Sequence, residues 1–190
     1  MRAAAVVGLA LLTSPVAAEP IRGAAAPVGP TVPPPQQTTA TFEDWTLRCV
    51  RPERAAAICE VSQTVSNQSQ QPVAQTALGR TPGTSEPMRL TVLVPTNISM
   101  ATAPRLVVAG DLAVDLGWRR CLSNGCVADA MLSEAQVLTL RALKEKGRVV
   151  YQDASGREMD MPFSPKGLPA ALDALAKEPG AKEPGAEQPG

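Results

Sequence analysis

Four cysteines fall in two close pairs, Cys49-x9-Cys59 and Cys121-x4-Cys126, and they constrain the fold more than any other feature of the sequence. What they mean depends on the compartment. Met1-Arg2 is a short positive start, and Ala3 to Leu12 is an uninterrupted small and apolar run. Thr13-Ser14-Pro15 breaks that run, and Val16-Ala17-Ala18 offers the small residues a signal peptidase reads. This is the secretory pattern, with cleavage expected between Ala18 and Glu19. The rival reading is a retained anchor, yet a spanning helix needs about 20 apolar residues. The run stops at Leu12, and no cysteine follows it at which a lipid could be attached.

In an exported chain, four cysteines point to two disulfides rather than to a reduced metal site. Neither spacing is the C-x-x-C of a redox motif or zinc knuckle. Four cysteines allow three connectivities. The simplest joins Cys49 to Cys59, stapling two strands, and Cys121 to Cys126, closing a turn through Ser123-Asn124-Gly125. Closing such short loops stabilises by roughly 2–3 kcal/mol each. Crossed pairings would close longer loops, so energy alone does not choose.

The chain has no histidine. That removes a Ser-His-Asp triad, a Cys-His nucleophile pair, a His-ligated metal and a proximal-His haem. Its 18 basic and 18 acidic side chains balance, and no basic run exceeds Arg119-Arg120. Nucleic-acid binding, which needs a clustered positive field, is therefore not expected. No cofactor and no metal are predicted.

All five aromatic residues lie between Phe42 and Phe163, whereas ten of the 19 prolines lie before residue 41 or after residue 176. That distribution divides the chain into a signal peptide at 1–18, a Pro- and Ala-rich linker at 19–40, a domain at 41–176 and a tail at 177–190. The tail repeats Lys-Glu-Pro-Gly-Ala, and a Pro-Gly every five residues opposes helix and strand alike.

Within the domain, short Val-, Leu-, Ile- and Thr-rich segments alternate in polarity between turn residues. Strands are predicted at Phe42–Val50, Ala57–Val65, Val73–Leu78, Met88–Val94, Leu106–Val108, Leu112–Leu116, Gly117–Leu122, Cys126–Leu132, Arg148–Gln152 and Arg157–Phe163. In the first, Trp45, Leu47 and Cys49 share one face. Ser133 with Gln136 forms a capping box for a helix that Gly147 is expected to end, and a shorter helix runs from Leu168 to Ala176. Nine or ten strands with turns every 8–12 residues predict a mainly β protein, an immunoglobulin-like β-sandwich with one inserted helix and a short C-terminal helix. A closed barrel is the competitor.

The order Phe42-x-x-Trp45-x-x-x-Cys49, Cys59-x-x-x-Gln63, Asp115, Cys121-x-x-x-Gly125-Cys126 and Gly167 resembles the invasion-associated locus B family of Gram-negative envelope proteins. The resemblance covers residues 41–176. It implies a secreted or periplasmic, immunoglobulin-like β-sandwich without an established enzymatic activity. Thr96 to Pro104 departs from the family pattern in carrying no glycine.

Trp45 reads as core beside a disulfide, and Gln63 as a buried glutamine bonded to strand backbone. Asp115 has a chemical reading as a general base, but no nucleophile or second acid can be placed beside it, so a structural role is expected. Trp118 with Arg119 and Arg120 is the candidate interaction patch, while strand alternation fits a buried Trp118 equally well. Asn67 and Gln68 in the Ser66–Gln71 loop, and Asn97 in the Thr96–Pro104 loop, complete the candidate surface. Three functions follow in order. The first is a non-catalytic envelope domain that binds a protein of the envelope or of a host. The second is an accessory subunit of a membrane complex, touching the membrane only if the N-terminal segment is retained. The last is a thiol–disulfide exchange enzyme.

Overall fold

A computed structural model describes residues 36–53, 56–80, 87–108 and 112–178. The expected signal peptide, residues 19–35 of the expected linker and residues 179–190 of the expected tail lie outside these residues. Eleven strands and two helices follow in chain order: β1 (Gln37–Phe42), β2 (Trp45–Val50), β3 (Ile58–Ser66), β4 (Pro72–Gly79), β5 (Met88–Val94), β6 (Arg105–Val107), β7 (Ala113–Asp115), β8 (Gly117–Leu122), β9 (Gly125–Leu132), α1 (Glu134–Ala142), β10 (Gly147–Gln152), β11 (Glu158–Phe163) and α2 (Leu168–Lys177).

The strands form two antiparallel sheets, a seven-stranded one ordered β1-β2-β3-β4-β5-β9-β8 and a four-stranded one ordered β11-β10-β6-β7. The larger sheet begins as a meander because each of its first four strands pairs with the one that follows it in the chain. Strict alternation then sets the faces. Trp45, Leu47 and Cys49 of β2, Val61 and Gln63 of β3, and Leu90, Val92 and Val94 of β5 are buried, while the residues between them face outward. One hydrophobic cluster takes Leu106, Val149, Met161 and Phe163 from the smaller sheet and Leu140, Leu168, Leu172 and Leu175 from the helices. A mainly β, sandwich-like fold with two helices is what the sequence predicted.

Four local features differ from the sequence reading. The sheet starts at Gln37, inside the expected linker, because the Thr-rich strand β1 pairs residue for residue with β2. Phe42–Val50 is not one strand, since Glu43 takes a positive φ of 51° and turns the chain between β1 and β2. Helix α1 has its capping box but ends at Ala142, before Gly147. Gly147 instead opens β10, where an added Cβ would lie 2.5 Å from Val108 Cγ1 and 2.9 Å from the Val107 carbonyl oxygen. Close packing between strands, not helix termination, requires that glycine. Between β6 and β7 the sequence offers a turn at Gly110-Asp111, which lies outside the described residues.

Candidate functional site

Four of the motif residues, Phe42, Trp45, Gln63 and Gly167, converge on the segment that follows β11. The Trp45 indole Nε1 donates to the Ser164 carbonyl at 2.9 Å. The Ser164 N–H donates to Gln63 Oε1 at 2.9 Å, and the Ser164 hydroxyl donates to the Asp44 carboxylate. Ser164 is 2% exposed, so each of its polar groups needs such a partner. The Trp45 ring meets Phe163 edge-on, with centroids 5.4 Å apart. Gly167 has φ 77°, and an added Cβ would overlap the Phe42 carbonyl oxygen. These residues lock β11 and the start of α2 against the larger sheet. Ser164 and Asp44 were not singled out in the sequence, where nothing local marks them.

Both cysteine pairs are local, Cys49 bonded to Cys59 and Cys121 to Cys126. Each joins residues directly opposite on adjacent strands. Gly125 sits in the turn that the second bridge closes. A Cβ there would come within 2.6 Å of the Val94 carbonyl oxygen and 2.7 Å of Leu93 Cδ1. Among the described residues, Cys49, Cys59 and Glu178 bring potential ligand atoms within 4.8 Å of one another. Both sulfurs are in the disulfide, so neither is the thiolate a metal requires.

The patch expected at Trp118, Arg119 and Arg120 is divided. Trp118 pairs with Ala128 and Arg120 with Val127, so Arg119 is the extra residue of a β-bulge. Trp118 packs against the core cluster and its Nε1 donates to the Thr102 carbonyl at 3.0 Å. Arg119 and Arg120 both face the outer side of the larger sheet, in a depression lined also by Arg89, Thr91, Val127 and Asp129. Arg119 binds one Asp129 oxygen through Nε and Nη2, both at 2.7 Å. That carboxylate raises the Arg119 pKa above its ordinary value through the hydrogen bond and its charge.

Trp118 instead fixes the Thr96–Pro104 loop, which lacks glycine but is held at several points. The Ser99 N–H donates to the Gln152 carbonyl at 2.9 Å, the Thr102 hydroxyl to Gln152 Oε1 at 2.9 Å, and the Leu116 N–H to the Pro104 carbonyl at 2.8 Å. The Ser66–Gln71 loop is held from within, because Asn67 Oδ1 accepts from the N–H groups of Ser69 and Gln71 at 2.9 and 3.0 Å. Asn67, Gln68 and Asn97 are all exposed.

The strand register brings these loops to one end of the larger sheet. Ser66 pairs with Pro72, Gln75 with Leu93, Val94 with Cys126, and Gly125 with Leu122. The β3–β4 loop, the loop leaving β5 and the β8–β9 turn are therefore neighbours. No charged residue occurs in 66–73, 95–104 or 121–126. Three large apolar side chains are exposed in those stretches: Val73 at 37%, Met100 at 53% and Leu122 at 44%. Of these, none was a candidate in the sequence; the signal available was the run without charge.

Asp115 is exposed and pairs across the strands with Arg105 at 2.6 Å, so it lies on the surface and not in a catalytic pocket. The most constrained acid is Asp153 in the β10–β11 turn. Its Oδ1 accepts from the Ser155 hydroxyl at 2.6 Å and from the N–H groups of Ser155 and Arg157 at 2.9 and 3.0 Å. The Ser155 bond, with the two N–H bonds and the Arg157 charge, lowers its pKa to about 2 against the opposing effect of burial.

Three comparisons bear on this arrangement. The family model described as "Invasion associated locus B (IalB) protein" matches residues 45–176. No curated protein matches the sequence. Among solved structures, the chain is similar to the crystal structure of invasion associated protein B from Bartonella henselae. That similarity has a TM-score of 0.64 at 20% identity, over 73% of this chain and 94% of the other.

Proposed function

Because this chain belongs to the invasion associated locus B family, we propose that it is a non-catalytic, exported domain that binds another protein through the uncharged end of its larger sheet. One observation carries the reading. In a chain with 36 charged side chains (18 basic plus 18 acidic), three adjacent connections carry none and expose Val73, Met100 and Leu122. Interface centres are depleted in charge and enriched in apolar side chains. The bonds from Trp118 and Gln152 hold the central loop in place, which lowers the ordering cost of association. Two disulfides support export, since such bonds persist in oxidising compartments. Among the described residues no helix is long and apolar enough to cross a membrane.

The test is site-specific photo-crosslinking in intact cells. A crosslinker at Met100 is expected to give a discrete adduct that is absent when it is placed at the exposed Leu138 of α1. Equal or absent adducts at the two sites would sink the reading. Intact mass decides the export step, with a mature chain beginning at Glu19 expected. A retained N-terminal segment would favour an anchored accessory subunit instead.

A further inference from the structure

The outer face of the larger sheet carries a second feature, unrelated to the uncharged end. Across it runs a row of small outward residues beside a buried acid, Gly117 opposite Asp129, Asp129 opposite Thr91, and Thr91 opposite Ala77. Long side chains stand around this floor, leaving a depression of about 520 Å³ lined by Arg89, Arg119 and Arg120. The bulge creates that grouping. In a regular strand Arg119 and Arg120 would point to opposite faces, whereas the extra residue puts both on one side.

The arginines are also positioned. Asp129 has 9% of its side chain exposed; it holds Arg119 at 2.7 Å and Arg89 at 3.6 Å. Arg120 forms no ion pair among the described residues, and Arg89 and Arg119 keep 46% and 61% of their side chains exposed. Three guanidinium groups against one carboxylate leave a local charge of +2 (3 − 1). The adjoining groove adds Glu60 and Arg80, which offset each other.

We propose that this cleft binds a compact dianion of the phosphoryl type, with Arg119 and Arg120 donating to its oxygens and Arg89 closing the opposite side. Guanidinium groups present paired N–H donors that match tetrahedral oxyanions. A buried carboxylate that fixes two of them removes part of the ordering cost of binding. The phosphoryl group could be a soluble phosphate or the head group of a phospholipid, because the same donors would meet either.

The experiment follows the arginine Nε–H signals of the full chain by ¹⁵N NMR during titration with inorganic phosphate, against sodium chloride at matched ionic strength. Saturable shifts at Arg119 and Arg120 with phosphate are expected, and Arg120→Gln is expected to weaken them roughly tenfold, as loss of a charge-assisted bond should. Arg148→Gln, on β10 of the other sheet, is expected to leave them unchanged. Parallel sedimentation uses phosphatidylcholine vesicles with and without phosphatidic acid. Binding that needs phosphatidic acid and Arg120 assigns a head group, and binding of free phosphate alone assigns a soluble ligand. Identical shifts in phosphate and chloride, or phosphate binding indifferent to Arg120→Gln, overturn the proposal.

Discussion

The Trp45 indole donates a 2.9 Å hydrogen bond to the carbonyl of Ser164, 119 residues further along the chain. That bond ties the second strand to the segment between the last strand and the last helix. Gln63 binds the N–H of the same residue, so one buried peptide unit and its neighbour satisfy two side chains from the larger sheet. Loss of the acceptor in Gln63→Ala would leave the Ser164 N–H buried and unpaired, at a cost of about 1–3 kcal/mol. Urea unfolding of this variant checks the value.

Gly167 and Gly156 both have positive φ, 77° and 82°, but differ in what surrounds them. An added Cβ meets the Phe42 backbone at Gly167 and nothing within 4 Å at Gly156. Gly156→Ala is expected to cost about 1 kcal/mol, from backbone conformation alone. Gly167→Ala adds a clash with main chain and is expected to cost about 3 kcal/mol or more. Paired thermal and urea unfolding of the two variants tests the difference. Equal losses would show that the contact with Phe42 contributes little.

Thr76 lies on the inner face of β4, 1% exposed, and its buried hydroxyl has no hydrogen-bond partner among the described residues. Valine has nearly the same shape and no hydroxyl. Thr76→Val is therefore expected to stabilise the domain by about 1 kcal/mol, the desolvation cost it removes. A lower urea midpoint in this variant would contradict the assignment.

The two disulfides differ in shelter. Cys49 and Cys59 are 5% and 8% exposed, while Cys121 is exposed and only its partner Cys126 is buried. Thiolate attack requires access to sulfur. Limited reduction followed by alkylation and peptide mass analysis is expected to label Cys121 and Cys126 before Cys49 and Cys59. Removing the inner pair as a double alanine variant is expected to cost about 2–4 kcal/mol.

Asp153 gives the domain an acid limb of known sign. Its folded pKa of about 2 lies below the ordinary aspartate value near 3.9. The stability it contributes is thus fully present above about pH 4 and is lost as pH falls through about 2. Asp153→Asn is expected to lower the urea midpoint at pH 6, and the gap from the parent protein should narrow between pH 4 and pH 2. A gap constant over that range would rule out this carboxylate as the cause.

What the sequence revealed follows from which interactions are local. Alternation in β2, β3 and β5 was legible because one face of each is buried and the other is not. The Ser133–Gln136 box was legible because it spans three residues. Strand β1 was not, since nearly all of it is exposed and its Thr-rich stretch carries no apolar period. The division of Trp118 from Arg119 and Arg120 was hidden too, because a bulge is set by the register with β9. Ser164 gathers partners from residues 44, 45 and 63, and no window of sequence contains them together.

The uncharged end makes the sharpest demand on variants, because binding and folding should separate there. Met100 and Leu122 are exposed at 53% and 44%, so replacing either with glutamate removes little core contact. Surface changes of this kind usually alter stability by less than about 0.5 kcal/mol. A charge buried without a partner at an interface centre, in contrast, costs several kcal/mol. Met100→Glu and Leu122→Glu are therefore expected to abolish the crosslinked adduct reported from a probe at Asn97 while leaving the thermal midpoint unchanged. Glutamate at Leu138, an exposed residue of α1, is expected to change neither. If both glutamates at the loop end left the adduct intact, the partner would have to be sought on another face of the domain.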